Sequence, residues 1–245
     1  MQKSGFTFIE LTIVLVIVGI IIGAILGAQD MIQNSKNQTI IKEFSNYNAN
    51  ISAFYLQYNA LPGDISNASS YWSGASNGDG DGRICCSNTE SVYLWNHLKR
   101  AGIIEGNYDG NDTDILLSVP SSSTDLGYYK AHYAGLSGDQ WLLGGTQIYE
   151  VKANFIGLGA PSTSGEYALG AVNSSDAYSI DIKMDDGNAS AGILVAVKGT
   201  NDLSTFQSGC VSASTFGTSA SGTITYQITN DTKSCRLIYW LQGAF

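Results

Sequence analysis

The stretch that decides the fold is KSGFTFIELTIVLVIVGIIIGAILGA, residues 3–28. After Lys3 the one charged side chain before Asp30 is the carboxylate of Glu10. From Leu11 to Ala28, eighteen residues in a row carry no charge. Phe6 to Ala28 is 23 residues, about 35 Å as an α-helix, which is enough to cross a bilayer. A secretory signal has a shorter apolar core of about 7–15 residues and places no acid at its start. An ordinary single-span anchor explains the length but not Glu10, because a carboxylate at membrane depth costs at least about 2–3 kcal/mol and therefore marks a function.

The leader ending at Gly5, the Phe6-Thr7 pair, the acid four residues after Phe6 and the charge-free run resemble the N-terminus of type IV prepilins and type II secretion pseudopilins. The resemblance covers roughly residues 3–30. It implies cleavage between Gly5 and Phe6 by a prepilin peptidase, N-methylation of Phe6, and retention of Glu10 as an assembly residue. Many members carry a proline where this chain has Gly27, so a kink there is not implied. Cleavage would free an α-amino group on Phe6, and in a filament the amine of one subunit can neutralise Glu10 of the next, since a buried charge is tolerated only when paired. Gly19, Gly23 and Gly27 repeat at four-residue spacing, a pattern that lets helices approach closely.

The helix is expected to continue beyond the apolar run. Ile40, Ile41, Phe44, Tyr47, Ile51, Phe54, Tyr55 and Tyr58 recur three and four residues apart, which gives one buried stripe. Lys42, Glu43, Asn46, Asn50 and Gln57 fall on the opposite face, and Pro62-Gly63-Asp64 ends the segment. A second helix is expected over Glu90–Ala101. Short apolar runs at 115–119, 128–133, 141–143, 148–156, 193–197, 224–228 and 237–241, separated by Gly, Ser and Asn, read as an antiparallel sheet. Residues 175–186 fit a helix closed at Gly187, or an alternating strand. The fold class is α+β and pilin-like: a long N-terminal helix, transmembrane in its first half, packed on a head with an antiparallel sheet. The division is residues 1–5 as leader, 6–28 as the transmembrane or filament-core helix, 29–60 as its amphipathic continuation and 61–245 as the extracytoplasmic head.

Asn77-Gly-Asp79-Gly-Asp81-Gly-Arg-Ile84 reproduces the first eight positions of a calcium loop, in which alternate oxygen ligands turn onto one cation. The acid expected at the twelfth position is missing; Asn88 stands there and Glu90 lies two residues on. The same residue types also make a solvated turn. Some pseudopilins bind calcium in their heads, so the resemblance keeps Ca2+ as a cofactor on Asn77, Asp79 and Asp81. Asp181, Asp185 and Asp186 form a second acidic group, better explained as a turn.

Four cysteines fit an oxidising compartment and permit three pairings. Cys210 and Cys235 bracket 24 residues, a spacing compatible with a disulfide across a hairpin. Many type IV pilins carry such a C-terminal disulfide loop, so the resemblance implies this pair and leaves the adjacent Cys85 and Cys86 open.

The 245 residues carry a net charge of −9, with twelve scattered Lys and Arg, which excludes the basic stripe of a nucleic-acid groove. No phosphate loop, nucleophile elbow or metal-binding histidine spacing is present, and neither His97 nor His132 has a sequence neighbour that makes a triad. The chain is expected to be no enzyme. It reads as a minor or specialised subunit of a type IV pilus or pseudopilus, with a type II secretion pseudopilin and a monomeric membrane-anchored binding protein as alternatives. Its partners would be the prepilin peptidase/N-methylase, other pilin or pseudopilin subunits and the inner membrane, with the N-terminus cytoplasmic and the head periplasmic.

Overall fold

A computed structural model describes residues 7–85, 89–111, 118–134, 153–161, 169–201, 205–206, 208–212 and 224–243. The chain divides into two compact units, Met1–Gln38 and Thr39–Phe245. Helix α1, Phe8–Tyr58, is 51 residues long and contributes to both. In the first unit its large apolar side chains are exposed on every side of the helix, from Phe8 through Ile17 and Ile22 to Ile25. A helix apolar all round is stable only inside lipid or among other helices. By length and composition it can cross a membrane.

In the second unit α1 becomes one-sided. Ile40, Phe44, Ile51 and Phe54 are fully buried, and their spacing is that of one helical stripe. The helix ends at Tyr58 because Asn59 takes the left-handed conformation (φ 52°), a backbone shape that asparagine tolerates better than most residues. Its N–H still bonds to the Tyr55 carbonyl at 2.8 Å. The turn that follows needs glycine at position 63. Its φ is 94°, and a Cβ there would stand 2.5 Å from the Glu90 carbonyl oxygen.

Two helices follow, the short α2 (Ala68–Tyr71) and α3 (Thr89–Arg100). Then come strands β1 (Tyr128–Ala134) and β2 (Ala153–Gly159), helix α4 (Ser174–Met184), and strands β3 (Leu194–Lys198), β4 (Thr200–Asn201), β5 (Thr205–Phe206) and β6 (Cys235–Trp240). The main sheet has four antiparallel strands in the order β1-β2-β6-β3, and β4 pairs with β5 separately. The last strand of the chain therefore lies inside the sheet.

Phe44 of α1 meets Tyr129 of β1 edge-on at 5.2 Å and stacks on Tyr239 of β6 at 5.5 Å. Tyr47 adds edge contacts to Trp95 and Tyr129. On the other face of the sheet His132, Phe155 and Trp240 form a buried row. With both faces covered, the strands do not show the polar-apolar alternation of a half-solvated sheet; all six residues of β6 are buried.

Of residues 175–186, those up to Met184 are helical, and Asp185 follows as the C-cap. Asn173 caps α4 by accepting the Asp176 N–H at 2.8 Å, which decides against the strand that the alternation allowed. The run 224–228 is not a strand. It makes one isolated bridge, Val211 to Tyr226, because its amides bond to the segment beside Cys210: Gln227 N–H to the Cys210 carbonyl and Thr225 N–H to Ser212 Oγ. Cys210 and Cys235 are joined by a disulfide. Cys85 is also disulfide-bonded. The run 141–143, most of 115–119, and Gly5, Phe6 and Cys86 lie outside the described residues.

Candidate functional site

Glu10 stands in the first turn of α1. Its Oε2 accepts the Thr7 N–H at 2.8 Å and the Thr7 hydroxyl at 2.7 Å, while the Glu10 N–H reaches Thr7 Oγ1 at 3.4 Å. This reciprocal pattern is a capping box, in which each residue's side-chain oxygen accepts the other's otherwise unpaired backbone N–H at the helix start. The signal for it, Thr-x-x-Glu at 7–10, is in the sequence. Glu10 therefore has a role within its own chain. Gly19, Gly23 and Gly27 face open space, with nothing within 4 Å of a Cβ built on any of them.

The loop from Asn77 to Cys85 is organised from inside by two carboxylates, those of Asp64 and Glu90. Asp64 Oδ1 accepts the N–H groups of Gly80 and Asp81, at 2.8 and 3.0 Å, and its Oδ2 accepts that of Gly82 at 3.0 Å. Glu90 accepts the N–H of Asp79 at 3.2 Å and of Cys85 at 2.8 Å. The backbone thus forms a nest around anions. Asn77 Oδ1 is taken by the Ser69 N–H and Asp81 Oδ1 by the Arg83 N–H, at 2.8 and 2.9 Å. Asn154 of β2 closes the loop, accepting from Ile84 N–H and donating to the Gly82 carbonyl.

Of the two acids among the expected ligands, Asp79 joins a cation-sized group. Its carboxylate, with those of Asp64 and Glu90, offers oxygens that all lie within 4.8 Å of one another. Such a group could hold a hard cation on these three residues; Asp81 is outside it. The signal was weak because Asp64 reads as part of a helix stop and Glu90 as a misplaced twelfth ligand.

Burial pushes the Glu90 carboxyl up to about 7, and the neighbouring charges of Asp79 and Asp64 add to this against its two amide bonds. A carboxyl whose pKa is raised in the fold contributes stability that is present below its ordinary 4.5 and lost as pH rises through about 7. Glu90→Gln mimics the protonated form. It should flatten the decline in unfolding midpoint between pH 4.5 and 7 relative to the unmodified chain, a change of about 1 kcal/mol after solvent screening, read by urea titration across that range.

His97 and His132 are buried and both are pushed down to about 4, mainly by burial. His97 is a clip: Nδ1 accepts the Gly63 N–H at 2.9 Å and Nε2 lies 2.8 Å from the Ser76 carbonyl. Asp181, Asp185 and Asp186 do converge. Asp181 accepts the Tyr226 hydroxyl at 2.7 Å, and Asp185 holds the amides of Ile193 and Leu194. Two of these three acids therefore fasten α4 to its surroundings.

No curated protein and no solved structure is significantly similar to the chain. Residues 1–26 match the family model of the prokaryotic N-terminal methylation motif. The chain thus carries the prepilin-type cleavage and methylation segment of type IV pilins and pseudopilins, which runs into the first half of its apolar helix.

Proposed function

We propose that this chain is a structural subunit, minor or specialised, of a type IV pilus or a pseudopilus. A prepilin peptidase cuts between Gly5 and Phe6, Phe6 is N-methylated, and the subunit waits in the inner membrane with Thr39–Phe245 on the periplasmic side. It then assembles through α1, where Glu10 meets the Phe6 amine of a neighbour. The observation that carries this reading is the apolar surface of α1 from Phe8 to Ile25, exposed on all sides within the segment that matches the methylation motif. Such a surface needs lipid before assembly and neighbouring helices after it.

Membrane-permeant cross-linking combined with shearing tests the proposal. A subunit of surface pili is expected as a ladder in the sheared filament fraction. A pseudopilin is expected as a ladder retained in the envelope. A chain found only as a monomer contradicts both.

A further inference from the structure

A cleft borders the acidic nest on the side of the α1 C-terminus, with Asp64, Gly80 and Gly82 in its wall. The end of α1, α2 and the turns around them enclose a half-open cleft of about 480 Å3, within the usual size of small-molecule sites. Tyr55, Tyr58 and Tyr71 line it, over Leu61 and Ile65. Tyr58 and Tyr71 meet edge-on at 5.2 Å, and Tyr71 is 52% exposed.

The polar residues of the cleft are Asn59, Ser66, Asn67 and Asp64. Asp64 is committed to three loop amides. Among the described residues, no side-chain hydrogen bond holds the other three. Asn67 is informative here. It occupies the N-cap position of α2 yet makes no cap bond, because Asn77 has taken the Ser69 amide in its place. An asparagine released from the role its position favours keeps two donors and an acceptor for something else.

We propose that this cleft binds the neutral hexopyranose end of a glycan, with one face of the sugar on the Tyr71 ring and its hydroxyls on Asn59, Ser66 and Asn67. A sugar has one face of C–H groups suited to an aromatic ring and a rim of hydroxyls suited to amides. A purely apolar ligand would bury the two asparagines without partners, which costs more than the contacts return. An extended peptide would need a free strand edge, and helix and turn segments line the cleft instead. Asp64 in the cleft and the net charge of −9 disfavour an acidic sugar. The site does not depend on which filament the chain joins.

Saturation-transfer NMR tests this on the full chain in a sugar-free detergent, with methyl β-glucoside, methyl β-galactoside and N-acetylglucosamine as probes and N-acetylneuraminic acid as the acidic control. At least one neutral probe should be saturated, and the acidic one should not. Tyr71→Ala should weaken that binding about tenfold with an unchanged thermal midpoint. Asn67→Ala removes an exposed side chain that holds nothing in the fold, so it tests the cleft even if Tyr71→Ala disturbs Tyr58; it should weaken binding about threefold or more. Saturation of no neutral probe, equal saturation of the acidic sugar, or unchanged binding in Asn67→Ala would overturn the proposal.

Discussion

Glu10→Ala should leave the processed chain out of the filament, with incorporation reduced at least about a hundredfold. In the assembled helix bundle the alanine leaves a neighbour's Phe6 ammonium without its counter-charge, and breaking one side of a buried ion pair costs about 3–5 kcal/mol. The capping box adds a second consequence. Oε2 of Glu10 also holds the Thr7 amide and hydroxyl, so the alanine variant frays the first turn by about 1 kcal/mol. Glu10→Gln separates the two roles, because glutamine can cap but carries no charge. Loss of incorporation in both variants assigns the effect to charge pairing. Loss in the alanine variant alone assigns it to the cap and removes the proposed Phe6 partner. The readout is the ratio of the chain in sheared filaments to the chain in membranes.

The largest loss of stability is expected from Glu43→Ala, about 2–4 kcal/mol. Glu43 reaches from α1 to the turn before β1. It accepts the Ser122 hydroxyl at 2.8 Å, the Ser123 N–H at 2.8 Å and hydroxyl at 2.6 Å, and the Tyr129 hydroxyl at 2.6 Å. Tyr129 is fully buried. Burial and the nearby carboxylate push its hydroxyl far above the ordinary range, so it stays a neutral donor that needs this acceptor. Without Glu43 that donor is buried and unpaired, and the turn loses its tie to the helix. The melting midpoint should fall by about 5–10 °C. Tyr129→Phe, which removes donor and need together, should cost about 1 kcal/mol. A Glu43→Ala midpoint within a degree of the unmodified chain would show that the bonds are replaced by water.

Glu43 also shows where sequence reading stopped. Helical spacing identified Ile40, Phe44, Ile51 and Phe54 as a buried stripe because that pattern depends only on neighbours along the helix. The same pattern put Glu43 on the outer face by its residue type, whereas its partners lie about 80 positions away in a turn. The Asn77 loop shows the same limit. Its Asn, Gly and Asp residues signal tight turning, but which groups converge depends on Asp64 and Glu90, brought in from a helix stop and a helix start. The run 224–228 has strand composition, but its amides bond to the segment beside Cys210. The capping box at Thr7–Glu10 was fully legible, since both partners lie within one helical turn.

Mass measurement of the intact chain purified from its own membrane, with sequencing of its first residues, tests the central claim most directly. The mature chain should begin at Phe6 and carry one methyl group on its α-nitrogen. A chain that keeps residues 1–5, or is cut anywhere other than between Gly5 and Phe6, would contradict it.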